Sequence, residues 1–146
     1  MKICFFNSVK TWGGGEKWHS DIAQAFSQEK HDVCVVSSKN SELLNRARAR
    51  GIKVKSFSIG NMSFLNPLKI ISLYLFFKRE KFDVLIMNLS KDLKIAAPVA
   101  KLAKISKIVY RRGKIKIIYN GIDTKVSIKK NKEKKFFFKK RCIFVA

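Results

Sequence analysis

The sequence predicts an α/β protein built on a doubly wound parallel sheet. Three observations carry this. Short apolar runs rich in β-branched residues alternate with segments of helical period, five strands with four helices, which is the pattern of parallel strands joined through crossover helices. The run DVLIMN is apolar almost throughout, as a strand covered on both faces is. A triple glycine, Gly13-Gly14-Gly15, stands between the first apolar run and the first helical pattern. With right-handed crossovers the strand order is 3-2-1-4-5. The chain reverses direction between strands one and four, and ligands of such sheets bind there, beyond the carboxyl ends of the strands.

The elements follow in order. Lys2 to Asn7 is the first strand, around Ile3-Cys4-Phe5-Phe6. The first helix runs from about Glu16 to Gln28, with Trp18, Ile22, Ala25 and Phe26 at the spacing of one buried face. His31 to Ser38 is the second strand, and Ser41 to Arg50 the second helix. Ser41 suits the N-cap, and Gly51 is a stop signal just past the last basic residues. Ile52 to Ile59 alternates as a third strand, and 60–66 is loop. Asn66-Pro67 opens the third helix, with Asn as cap and Pro at the first helical position. That helix is apolar nearly all round, which fits burial on the sheet. The basic residues Lys78, Arg79 and Lys81 after it leave a lipid-facing role as the alternative. Asp83 to Asn88 is the fourth strand. Asp92 to Ile105 is the fourth helix, where Pro98 predicts a kink or a late start. Lys107 to Arg111 is the fifth strand.

Of the 146 residues, 47% are hydrophobic, enough for a domain with a real core. The formal charge of +22 implies an anionic partner, whether nucleic acid, lipid surface or phosphorylated ligand; lysine-rich compositional bias is the plainer reading. Cys4, Cys34 and Cys142 form no C-x-x-C, and the first two read as buried free thiols in a reducing compartment. His19 and His31 have no Cys or His neighbours at metal spacing, so no metal is expected. No secretory leader is expected, and the longest apolar stretch, Leu68 to Phe77, falls short of a ~20-residue membrane span.

The candidate site is the loop around the glycines. Glycine lets a backbone approach closely, and the first amides of a helix point at an anion. Glu16 stands in the first turn, where the macrodipole favours an acid. There is no G-x-x-x-x-G-K-[ST] and no G-x-G-x-x-G, so neither a P-loop nor a standard dinucleotide fingerprint is present. A simple tight turn is the alternative reading of the loop. Asn88 and Lys91 after strand four reach the same crevice. Arg111 and Arg112 at the end of strand five offer bidentate donors for phosphate or carboxylate, or are a solvated pair. Nothing after Ser37-Ser38-Lys39 would hold an adenine ribose. His19 faces the crevice or is packed in the core, packing being the commoner case.

After Gly113, Lys114 to Tyr119 reads as one more strand, Asn120-Gly121-Ile122-Asp123 as a turn, and 125–141 as a lysine-rich tract around Phe136-Phe137-Phe138. The WGGGEKW loop, the LNP helix start, the YRRG after strand five and the IIYNGID turn resemble, in their order, the N-terminal half of GT-B glycosyltransferases of family 4. The resemblance implies a Rossmann-like domain, half of a GT-B architecture, that receives the acceptor and lays its glycine loop near the donor diphosphate. On that reading 1–113 is the N-terminal domain, 114–124 a hinge-like strand and turn, and 125–146 a basic tail with the remnant of a second domain.

Departures are plain. Tyr110-Arg111-Arg112 stands where many members have a histidine, and YRRG and NGID are adjacent where the family has further units. No two glutamates stand eight apart and there is no Asp-x-Asp, so neither the family's Glu-x7-Glu nor a metal-dependent GT-A site has a candidate.

The expectation is therefore a truncated glycosyltransferase half that binds a nucleotide sugar and a glycan or lipid-linked acceptor. The substrate-binding residues expected are Gly13, Gly14, Gly15, Glu16, Asn88, Lys91, Arg111 and Arg112. No cofactor is expected, and no catalytic residue is assigned. The protein is expected in the cytoplasm, at the inner face of the membrane where an anionic surface attracts it, in cell-envelope glycan synthesis. The isolated chain is expected to transfer no sugar, with strand five or the sheet edge exposed. The alternatives are a basic nucleic-acid-binding module, against which the core placement of most aromatics argues, and an NADP-binding protein, which the glycine spacing opposes.

Overall fold

The computed structural model describes residues 1–57, 66–112 and 114–119. The elements are β1 (Lys2–Asn7), α1 (Gly14–Gln28), β2 (Asp32–Ser38), α2 (Glu42–Ala49), β3 (Lys53–Phe57), α3 (Pro67–Glu80), β4 (Val84–Met87), α4 (Ser90–Leu102), β5 (Lys107–Arg112) and β6 (Lys114–Tyr119). The first five strands are parallel in the order 3-2-1-4-5, as the alternating pattern predicts. β6 adds to the outer side of β5, antiparallel, with Arg112 opposite Lys114 and Lys107 opposite Tyr119. Of the two places expected to be exposed, strand five or the sheet edge, β5 is covered by its pairing with β6, and β6 is the outermost strand on that side. The NGID turn and 125–146 lie outside the described residues.

Side chains on successive strand residues point to opposite faces, and the core divides accordingly. Cys4, Phe6, Cys34, Val36, Leu85, Met87 and Ile108 meet α3 and α4 on one face. Ile3, Phe5, Val33, Val35, Val84, Ile86 and Val109 meet α1 and α2 on the other. Cys4 and Cys34 are register partners in β1 and β2, both buried and free; burial raises both thiols, Cys34 to about 11.

Local signals set the helix ends. Ser41 accepts from the Leu44 amide, and Asn66 from the amides of Leu68 and Lys69, each satisfying an orphan first-turn donor. Gly51 takes φ +71° after α2, a conformation strained for other residues. α4 starts at Ser90, earlier than Pro98 suggested, and contains Pro98 as an exposed residue. α3 departs from the expectation of all-round burial. It buries Leu73, Phe76 and Phe77 but leaves Leu68, Ile71 and Leu75 exposed. A single helix on a sheet has one covered face, and no described element lies over the other. No helix among the described residues is long and apolar enough to cross a membrane.

Candidate functional site at the carboxyl ends of β1 and β4

β1 and β4 pair through Phe6 and Met87, so the next residues, Asn7 and Asn88, leave the sheet side by side. The Asn7 side-chain amide donates to Glu16 Oε1 at 2.8 Å and to Asn88 Oδ1 at 3.2 Å, and its oxygen accepts from the Val9 amide at 2.8 Å. One buried side chain thus ties the end of β1, the first turn of α1 and the exit of β4 together.

The three glycines have three surroundings. Gly13 is the extended N-cap of α1 and supplies no side-chain cap; a Cβ on it would stand 3.1 Å from Glu16 Oε2. A Cβ on Gly15 would come within 2.5 Å of Asn88 Nδ2, whereas one on Gly14 would meet nothing within 4 Å. Gly15 is the glycine that lets α1 close onto the β4 exit, and Gly14 borders open space. Glu16 is 6% exposed and bonded to Asn7, so it braces the wall of the crevice from within.

The loop after β1 is held on its other sides as well. Ser38 Oγ donates to the Ser8 carbonyl at 2.6 Å, Ser37 Oγ to the Val9 carbonyl at 3.4 Å, and the Glu42 amide to the Lys10 carbonyl at 3.3 Å. From α4, Asp92 Oδ2 accepts from the Ser8 amide at 3.2 Å. Asp92 is fully buried, its Oδ1 has no hydrogen-bond partner among the described residues, and burial lifts its pKa to about 6. The neighbouring Lys91 is exposed.

Arg111 comes to the site through α1. Its guanidinium lies 4.4 Å from the centroid of the Trp18 ring, a cation–π contact. Arg46 sits in the same way over Trp12 of the first loop, at 4.2 Å. His19 is fully buried, with the rings of Phe5 and Trp18 each at 5.5 Å, and neither of its nitrogens has a hydrogen-bond partner among the described residues. Burial, and after it the charge of Arg111, lowers its pKa to about 3. His19 is therefore a neutral, packed histidine. The Arg112 side chain lies outside what is described.

The structure brings Gly13, Gly14, Gly15, Glu16 and Asn88 into one hydrogen-bonded unit, with Lys91 on the adjoining helix turn. Arg111 is tied to the same helix through the Trp18 ring. Asn7, Ser8 and Asp92 were not singled out from sequence. An asparagine ending an apolar strand before a glycine loop, and an acid in the first turn of α4, were the available signals. Chemically, the first amides of α1, exposed Lys91 and half-exposed Arg111 favour an anion. Both carboxylates of the unit, Glu16 and Asp92, are buried. Among the described residues no group of three or more His, Cys, Asp or Glu could hold a metal ion.

A doubly wound parallel sheet with an anion-favouring crevice at its switch point defines a Rossmann-like domain. The chain belongs to the glycosyl transferase 4-like family, whose model matches residues 2–145. Similar solved structures carry the same fold. Anabaena HepE in complex with UDP aligns with TM-score 0.60 at 22% identity over 75% of this chain and 29% of its own. Acinetobacter baumannii MurG aligns with TM-score 0.59 at 15% identity, over 75% of this chain and 35% of its own. The lipopolysaccharide outer core galactosyltransferase WaaB aligns with TM-score 0.56 at 21% identity, over 75% and 32%. The chain thus spans about a third of the length of these structures. No curated protein gives a significant sequence match.

Proposed function

We propose that this chain is the acceptor-side half of a glycosyltransferase that moves a sugar from a nucleotide-sugar donor to a glycan or lipid-linked acceptor, without a metal or other cofactor. The observation that carries the reading is the family match along residues 2–145. The site supports it: the crevice at β1 and β4 offers uncapped helix amides and basic side chains to a diphosphate or a phosphorylated acceptor. HepE has been crystallised with UDP, with UDP and glucose, and with UDP-glucose, which makes a uridine nucleotide the first donor to try. Gly13, Gly14, Gly15, Lys91, Arg111 and Arg112 are the groups proposed to meet substrate, while Asn88 and Glu16 hold the glycine turn in place. Glycosyl transfer needs the leaving diphosphate stabilised and the acceptor hydroxyl placed in line. The described residues form one wall of such a site, so turnover by the chain alone is not expected.

Calorimetric titration of the chain with UDP, UDP-sugars and other nucleotide sugars tests this. Binding is expected for at least one of them, and weaker binding for Gly14→Val, whose new side chain enters open space and leaves the fold intact. Binding of duplex DNA with sequence preference, and of none of the nucleotides, would replace the reading with the nucleic-acid one. Release of nucleoside diphosphate by the chain alone would contradict the one-wall account.

A further inference from the structure

The outer face of α3 has a composition that the glycosyl-transfer site does not explain. Leu68 is 75% exposed, Ile71 52% and Leu75 57%. At 3.6 residues per turn these three fall on one stripe, diametrically opposite the buried Leu73, Phe76 and Phe77. Lys78 and Arg79, both exposed, continue the helix on either side of that stripe. Lys55 and Lys69 also line the groove of about 840 Å³ that Leu68, Ile71 and Leu75 border. Glu80, the acid on this helix, is turned to the other side, where it is bonded to Lys2 and Lys53. An apolar stripe flanked by cations with no exposed acid is the composition of a helix that lies in a membrane interface. There apolar side chains enter the acyl boundary and the basic groups meet anionic headgroups.

The placement adds a second argument. α3 follows a parallel strand and runs antiparallel to the sheet, so its first turn, with Leu68, lies at the end of the domain where the strands terminate in the crevice. The stripe then descends about 16 Å from Leu68 to Arg79 at 1.5 Å per residue.

We infer that the outer face of α3, Leu68, Ile71 and Leu75 with Lys78 and Arg79, docks the domain on an anionic lipid surface, with the crevice at the rim of the contact. The inference deepens the glycosyltransferase reading by choosing the lipid-linked acceptor over the soluble glycan. Its test involves no sugar, so the two fail separately. The formal charge of +22 draws the whole chain to anionic surfaces, and the stripe distinguishes docking from mere attraction.

The experiment is co-sedimentation of the chain with phosphatidylcholine vesicles and with vesicles containing phosphatidylglycerol at about a third of the lipid. The variants are Leu68→Ser/Ile71→Ser/Leu75→Ser and Lys78→Glu/Arg79→Glu. All five positions are solvent-exposed, and circular dichroism with thermal melting checks that each variant folds as the parent does. The parent is expected to prefer the anionic vesicles and to retain part of its binding at 0.5 M salt, where long-range attraction is screened. The triple serine variant is expected to lose at least tenfold in partitioning and all of the salt-resistant part. The double glutamate variant is expected to lose the preference for anionic lipid. Unchanged partitioning of the triple serine variant would overturn the inference. So would a parent that dimerises in analytical ultracentrifugation through these three residues and binds vesicles equally well with and without them; the stripe would then be an interface between copies.

Discussion

At the amino ends of the strands, Lys2 Nζ lies 2.8 Å from Glu80 and 3.6 Å from Asp32, and Lys53 Nζ holds the same Glu80 oxygen at 3.0 Å. The Lys2 backbone amide donates to Asp83 at 2.7 Å. Every acid of this cluster meets a cation or a backbone donor, and the two lysines hold Glu80 down to a pKa of about 2. At the carboxyl ends the arrangement is reversed. Asp92 is buried with one oxygen unpartnered among the described residues, and His19 is buried with two unpartnered nitrogens. Lys91 stands in solvent. Burying a polar group without a partner costs free energy. The amino end is thus arranged for stability, while the carboxyl end keeps destabilising groups beside the crevice, as active-site walls do.

The largest expected effect separates the two buried groups of the carboxyl end by pH. His19 has its folded pKa depressed from 6.5 to about 3. Between those values the unfolded chain binds the extra proton, so stability falls as pH falls. Asp92 has its folded pKa raised from 3.8 to about 6. In that interval the folded chain binds the extra proton, so stability rises as pH falls. The two slopes oppose one another between about pH 4 and 6, and their contributions to the parent nearly cancel. Asp92→Asn leaves the histidine slope alone and is expected to lose about 3 kcal/mol relative to the parent on going from pH 6 to 4, at about 1.4 kcal/mol per pKa unit. His19→Leu leaves the aspartate slope and is expected to gain about as much. Urea unfolding of the three proteins at half-unit pH steps measures this; parallel curves would mean that neither group is buried as described.

A smaller effect separates two adjacent glycines. Gly15→Ala drives a methyl group against Asn88, itself tied to Asn7, and is expected to cost about 1–3 kcal/mol, the usual penalty of overpacking. Gly14→Ala enters open space and is expected to stabilise by about 0.4–1 kcal/mol through reduced freedom of the unfolded chain. Chemical denaturation of both variants decides it, and equal effects would remove the special closeness of α1 to the β4 exit.

The smallest effect belongs to the amino end. Glu80→Gln keeps the shape and removes the charge shared by Lys2 and Lys53, for a loss of about 1 kcal/mol at pH 7, the upper range of partly exposed pairs. Since the Glu80 pKa is depressed, its contribution is full above about pH 4.5 and fades towards pH 2. The difference between parent and variant in urea unfolding should shrink over that interval and vanish in high salt. A loss of 3 kcal/mol or more would make the amino end as demanding as the carboxyl end and erase the contrast.

Much of the fold was legible because it rests on local period. Strand alternation, the caps at Ser41 and Asn66 and the stop at Gly51 are written within a few residues of where they act, and the parallel order follows from handedness. The covered edge of β5 was missed because the direction of β6 depends on how sharply the chain turns. The exposed stripe of α3 was missed because an apolar helix looks the same in sequence whether or not something covers it.

The site was legible in part. The glycine loop announces itself, but Asn7 finds Asn88 across 81 residues, a contact no local pattern contains. Nor does spacing tell Gly15, against a neighbour, from Gly14, against solvent. Asp92 reads in sequence as an ordinary first-turn acid at a helix start, and only the packing of Ser8 over it shows that it is buried.

The central claim is that substrate phosphate meets this chain at the carboxyl ends of β1 and β4. Residue-resolved nuclear magnetic resonance, following the backbone amides as UDP is added, tests it most directly. The account predicts that the largest shifts fall on Gly13, Gly14, Gly15, Lys91 and Arg111, and that Gly14→Val reduces them together. Shifts spread over the lysines of the amino end, such as Lys2, Lys53 and Lys107, with the glycine loop unmoved, would contradict it and reduce the interaction to general attraction by charge.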